Sequence, residues 1–261
     1  HPSKGSLYLN FYYDLGECTP EEVQYLDLLT DILDELDTPE HTARELQTQR
    51  ATWLGNSMAC ISFWTGRQEG SPCHAKLTWN MSQQKLNMEQ QFIQQGNQYA
   101  TVRAAAHYSV EYALSERCSG VTGYHFLCGL LEQADWAAMG KKLEAVREKV
   151  LNHAALTVSL HGSEEALAKL RALLPGSAFA AQGRTAAKPY TEVLIAPVNE
   201  AFVIDGGVNY DILTWPMERQ ADRRVLARIM SYEYLWHNIR EVGGAYGTGM
   251  LSSDGVEYLY T

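Results

Sequence analysis

Apolar and polar positions repeat with two periods along this chain, and the switches between them mark its elements. Residues 7–15, Leu-Tyr-Leu-Asn-Phe-Tyr-Tyr-Asp-Leu, have strand spacing. Thr19-Pro20-Glu21-Glu22 is a capping box with proline at the first helical position, so a helix is expected to start there. Val23, Leu26, Leu29, Leu33 and Leu36 supply its apolar stripe, and Thr38-Pro39 ends it. A short helix is expected over 41–53. Strands are expected over 57–65 and 73–82, joined by a turn at 66–72 into a hairpin. A long helical pattern over 85–117 carries Phe92, Tyr99, Val102, Ala106, Val110 and Leu114, with Gly96 as its weak point. Helices over 123–133 and 136–151 follow.

The pattern then restarts. Residues 155–160 read as a strand, and Ser163 as the N-cap of a helix carrying Leu167, Leu170 and Leu173. Residues 183–189 read as a polar, mobile loop, and 191–196 and 201–205 as strands. A helix is expected over 217–240, with Val225, Ile229, Tyr232, Trp236 and Ile239 as one buried stripe. Two strands are expected over 247–261. This order gives an α+β architecture of mainly antiparallel sheets with helices packed on them. The restart puts a domain boundary between 1–153 and 154–261.

Composition narrows the class. The chain has 261 residues, 46% hydrophobic and 20% charged, the balance of a soluble globular protein. Its net charge of −10 argues against nucleic acid as a partner and permits cationic peptides. No apolar run approaches the roughly 20 residues of a membrane span, and no signal-peptide pattern opens the sequence. Five cysteines (Cys18, Cys60, Cys73, Cys118, Cys128) include no Cys-x-x-Cys pair, which fits free thiols in a reducing compartment.

The chemistry concentrates near the end, in Tyr234-Leu-Trp-His-Asn-Ile-Arg240-Glu-Val-Gly-Gly244-Ala-Tyr246-Gly-Thr-Gly249. Gly243 and Gly244 stop the long helix, leaving Arg240 in its last turn and Tyr246 just past the break. Helix-dipole compensation and ordinary capping account for the same residues on spacing alone. No His-x-x-Glu-His zinc motif, nucleophile elbow or phosphate loop is present. His107 and Glu111, four apart, read as a helix-surface pair. Adjacent Cys73 and His74 point to opposite faces of a strand, and the remaining histidines are scattered.

The string Leu-Trp-x-x-Ile-Arg-x-x-Gly-Gly-Ala-Tyr-Gly resembles the C-terminal signature of the insulinase/pitrilysin metallopeptidases, in their presequence-protease branch. Residues 7–15 with Pro20-Glu-Glu and Tyr25-Leu-x-Leu-Leu29 resemble the start of that branch's third domain. Tyr99-Ala100 with Arg103-Ala-Ala resembles its long helix, and Thr157-Val-Ser-Leu160 with Gly162 the strand entering the fourth domain. The resemblance implies a metallopeptidase/processing-peptidase-like fold, with 1–153 as domain three and 154–261 as domain four of a four-domain clamshell. The family pattern has more chain after about residue 83, so either this protein is shortened there or a segment is missing, and its fourth domain continues beyond Thr261, so a fragment is expected.

In function, the resemblance implies a zinc-dependent peptidase that degrades unfolded peptides in a closed chamber. The absent N-terminal half of the same chain is expected to hold the zinc, with no metal bound by this fragment and no activity from it alone. Tyr246 is expected to serve the oxyanion or a substrate carbonyl, and Arg240, Gly243 and Gly244 to join it in substrate binding. A non-catalytic peptide-binding or structural partner subunit of the same family is the alternative. The compartment is expected to be cytoplasm or, alternatively, an organelle matrix.

Overall fold

A computed structural model describes residues 8–53, 59–65, 73–79, 88–133, 135–151, 156–173, 190, 194–204, 207–218, 220–253 and 255–261. The chain divides into two compact units. One comprises His1–Gln83 with Ala134–Tyr190, the other Gln84–Gln133 with Thr191–Thr261.

The first unit is built on a four-stranded antiparallel sheet of order β2-β3-β1-β4. Its strands are β1 (Tyr8–Asp14), β2 (Ala59–Thr65), β3 (Cys73–Trp79) and β4 (Leu156–His161). Helix α1 (Pro20–Ile32) starts where the capping box predicts. The Thr19 hydroxyl accepts from the Glu22 amide at 3.2 Å, and the Glu22 carboxylate accepts from the Thr19 amide at 2.7 Å. Val23, Leu26 and Leu29 are buried, and the stripe runs out at exposed Leu36, past a 3-10 turn at Leu33–Glu35. Helix α2 (Ala43–Trp53) follows, tied back by an Arg50–Asp34 ion pair.

The expected hairpin is present as β2 and β3, while its turn at 66–72 lies outside the described residues. The second half of this unit is α7 (Trp136–Val150), β4 and α8 (Glu164–Leu173). Lys142 and Lys149 on α7 reach Glu21 (2.5 Å) and Glu22 (2.7 Å) on α1, over a core that includes Leu143, Val146 and Val150.

Strand β4 pairs with β1 from Tyr8↔His161 to Tyr13↔Leu156. The units therefore divide the chain differently from the boundary read at 153/154. A restart of the strand–helix pattern marks a new supersecondary unit. It carries no information on which sheet the new strand joins.

In the second unit, the single helix expected over 85–117 is three: α3 (Met88–Gln94), α4 (Gly96–Ala105) and α5 (Val110–Ser119). Gln95 adopts a non-helical backbone before Gly96, and Ser109 is extended at the start of α5. His107 therefore lies in a turn, buried, with Nδ1 3.1 Å from the Ile195 carbonyl oxygen. It does not share a helix face with Glu111. Helix α6 (Val121–Gln133) follows after Gly120, whose absent side chain leaves room for the Glu116 backbone.

The strands expected over 191–196 and 201–205 are not formed where they are described, at 194–196 and 201–204; residues 191–193 and 205 lie outside the described residues, as does the loop read at 183–189. Apolar alternation there is not matched by a pairing partner: Leu194, Phe202 and Val203 are exposed. The three-stranded antiparallel sheet instead takes the order β5-β7-β6, from β5 (Ile212–Pro216), β6 (Gly249–Ser253) and β7 (Val256–Tyr260). The two strands read over 247–261 are β6 and β7. Helix α9 (Ala221–Ile229) packs on β6 and runs on as a π-helical segment, Met230–Val242.

Candidate functional site

The π segment changes which residues face inward. Its winding is visible at the end, where the Gly243 amide donates to the Asn238 carbonyl, five residues back, at 3.1 Å. The stripe expected to be buried is largely outside: Val225 is 60% exposed, Ile229 53%, Tyr232 59% and Trp236 38%. The buried cluster is Ala227, Leu235 and Met250, with Met230, Ile239, Trp215 and Leu259 packed against it. A helix wound wider than 3.6 residues per turn brings positions four apart closer to one line. The inner face accordingly runs Ala227, Ser231, Leu235, Ile239.

Ser231 fixes this helix to the sheet. Its hydroxyl accepts the Met250 amide at 2.8 Å and lies 3.0 Å from the Met250 carbonyl oxygen. Those are backbone groups on the outer edge of β6, so a side chain satisfies part of what a neighbouring strand otherwise would. The buried Glu257 carboxylate accepts from the Trp215 indole at 2.8 Å and lies 3.6 Å from Arg223 at the base of α9.

The helix ends at the expected glycines, and both are required. A Cβ on Gly243 meets the Ile239 carbonyl oxygen at 2.5 Å. Gly244 has φ +75°, a conformation that costs other residues about 1–2 kcal/mol. Its amide donates to the Arg240 carbonyl at 3.0 Å, and the Ala245 amide to the Ile239 carbonyl at 3.2 Å. Beyond the corner, the Thr248 hydroxyl donates to the Tyr260 carbonyl at 2.9 Å and the Thr261 hydroxyl to the Gly247 carbonyl at 3.3 Å. The segment carrying Arg240 and Tyr246 is thus held on both sides.

The two side chains are presented differently. The Arg240 guanidinium lies over the Trp236 ring, 4.0 Å from its centroid. Tyr246 is 90% exposed. Among the described residues no hydrogen bond or ring contact joins the two, and neither phenol nor guanidinium has a hydrogen-bond partner. Beside them His237 Nδ1 lies 2.9 Å from the Glu241 carboxylate. That hydrogen bond, with smaller help from the Trp236 indole and Arg240, holds the Glu241 carboxyl below the usual carboxylate range.

Sequence reading singled out the arginine, tyrosine and glycines but missed Trp236 as the arginine's platform and Ser231 as the anchor. The i,i+4 spacing of Trp236 and Arg240 was the available signal. Among the described residues no three His, Cys, Asp or Glu side chains converge. Cys18, Cys118 and Cys128 form no disulfide among the described residues, and burial pushes the Cys18 thiol up to about 11. No described helix is long and apolar enough to cross a membrane.

The family model for the region associated with peptidases of family M16, subgroup C, matches residues 73–130. Presequence protease 1, chloroplastic/mitochondrial, of Arabidopsis thaliana is 29% identical over 185 residues, covering 64% of this chain and 16% of that protein. Presequence protease, mitochondrial, of Xenopus laevis is 27% identical over 202 residues, covering 64% and 20%. Protein HypA of Clostridium perfringens (strain 13 / Type A) is 20% identical over 279 residues, covering 92% and 29%. The chain spans less than a third of the length of these curated relatives. Together the matches support an insulinase-family C-terminal region for this chain, in a peptidase context.

Proposed function

We propose that this chain is the substrate-binding half of a zinc-dependent peptidase that degrades unfolded peptides in a closed chamber. Zinc is assigned to an N-terminal half outside this chain, on the likeness to the presequence proteases; no step below runs through it. Tyr246 donates a hydrogen bond to the developing oxyanion or the adjacent substrate carbonyl. Arg240 grips backbone carbonyls or a carboxylate with its fixed charge and planar donors. Gly243 and Gly244 give the backbone its corner and let peptide approach closely. The names of the two presequence proteases support the organelle-matrix alternative for location.

One observation carries this reading. At a corner locked by backbone hydrogen bonds, the Arg240 guanidinium and the Tyr246 phenol have no hydrogen-bond partner among the described residues. Donors held in place but unspent are what stabilisation of developing charge requires. In the intact enzyme, Tyr246→Phe and Arg240→Ala are each expected to lower peptidase kcat/KM by roughly 100-fold, the scale of losing one such donor. Near-normal turnover in both variants removes these residues from the mechanism. The chain alone is expected to show no peptidase activity.

A non-catalytic peptide-binding partner is the second reading. A His-x-x-Glu-His string in the intact polypeptide decides against it.

A further inference from the structure

Arg228, Tyr232, Trp236 and Arg240 follow one another at intervals of four along α9 and the π segment. They run beside the inward-facing set Ala227, Ser231, Leu235, Ile239, and the same wide winding keeps them near one line. Arg228 lies over the Tyr232 ring at 5.3 Å, as Arg240 lies over Trp236 at 4.0 Å. Two guanidinium groups thus close the ends of a strip whose middle is two exposed aromatic rings. Among the described residues neither arginine makes an ion pair, on a chain whose net charge is −10.

We propose that this ladder is a docking strip for an extended peptide segment carrying a carboxylate at each end of an apolar pair. The occupant follows from complementarity. Arginine stacked on an aromatic ring still presents its in-plane donors, and those match carboxylates. The rings between them offer apolar area at little conformational cost. At α-helical rise the twelve steps from Arg228 to Arg240 would span about 18 Å, and the wider π winding makes the span shorter. Extended peptide at about 3.3 Å per step covers it in no more than about six steps, and alternate residues share one face. The proposal rests on Arg240 as a substrate-binding residue and adds a substrate class: acidic and apolar at alternate positions. The overall negative charge acts at longer range and sets no preference at the strip itself.

The probe is a fluorescein-labelled Glu-Ser-Phe-Ser-Leu-Ser-Glu peptide, with versions carrying Gln or Lys in place of both Glu, titrated against the chain by anisotropy. Binding is expected in the order Glu, Gln, Lys, and to weaken with salt. Arg228→Gln and Arg240→Gln are each expected to weaken the Glu peptide about threefold, and the pair together about tenfold. Tyr232→Ala and Trp236→Ala are expected to weaken all three peptides alike. Absence of a Glu preference, or its survival in the double arginine variant, overturns the ladder. So does a self-association that Trp236→Ala abolishes, since the occupant is then a second copy. If Arg228→Gln binds as wild type while Arg240→Ala still lowers turnover in the intact enzyme, the ladder fails and the catalytic reading stands. If the arginine changes alter binding but leave turnover intact, the ladder stands and that reading fails.

Discussion

Two arginines of the second unit show how environment divides one residue type between structure and function. Arg103, on α4, spends its donors inside the fold. Nε and an Nη reach the Glu200 carboxylate at 2.6 and 2.7 Å, and the other Nη reaches the Thr122 hydroxyl at 3.2 Å. The same nitrogen lies 3.3 Å from Glu116, whose side chain is fully buried. Arg240 spends nothing: its guanidinium rests on an indole face at the surface. A bidentate pair over a buried carboxylate is a structural device, and a stacked cation with open donors is a presented one.

The largest expected effect tests that division directly. Arg103→Ala strips the compensating charge from Glu116, whose Oε1 keeps the Thr122 amide at 3.0 Å and whose Oε2 has no hydrogen-bond partner among the described residues. Breaking a pair at a buried carboxylate costs about 3 kcal/mol. A large drop in urea midpoint is therefore expected. Arg240→Ala is expected to move the midpoint by no more than about 0.5 kcal/mol, as exposed substitutions do. Equal losses in the two variants would make Arg240 a structural residue after all.

A second test asks what holds the presented corner. Ser231→Ala leaves the Met250 amide, on a residue only 8% exposed, without its acceptor. The expected cost is about 1–2 kcal/mol, with faster amide exchange over 246–250. Unchanged exchange there would mean the corner is held by its glycines alone.

The corner's smaller parts follow. Gly244→Ala meets no atom within 4 Å, so only its φ of +75° is penalised, by about 1 kcal/mol. Gly243→Ala has ordinary φ but drives a methyl into the Ile239 carbonyl, so it is expected to destabilise more. Urea midpoints of the two variants order them; the reverse order would place the strain in the backbone angle.

These residues also show what sequence carries and what it does not. The capping box at Thr19, the β2–β3 hairpin and the glycine stop at 243–244 were all legible, because each depends on chain neighbours. The inward face of α9 and the π segment was not. The stripe Val225, Ile229, Tyr232, Trp236, Ile239 assumes 3.6 residues per turn throughout, yet Val225 and Ile229 in α9 and Tyr232 and Trp236 in the π segment are all exposed. The pairing of β4 with β1 was also hidden, because it joins residues about 150 positions apart. At the site, Arg240, Gly243, Gly244 and Tyr246 were found by local pattern. Ser231 was not, since its role is set by a strand that arrives nineteen residues later.

The smallest expected effect is a pH dependence that separates the same two regions. Hydrogen bonding to Arg103 holds the Glu200 carboxyl below the usual range, and pairing with His237 does so for Glu241. A carboxyl whose folded value is depressed adds stability above its unfolded value. That stability is lost as pH falls through the folded value. Glu200 accepts two donors of Arg103, at 2.6 and 2.7 Å, so its share is expected to appear as a loss of wild-type stability from about pH 5 downward. Glu200→Gln should flatten that limb. Glu241 is exposed and screened by solvent, so Glu241→Gln should leave the limb where it is. Urea midpoints between pH 3 and 7 measure all three. A limb that follows Glu241 instead of Glu200 would mean that the surface corner, not the buried arginine network, is where this unit stores its electrostatic stability.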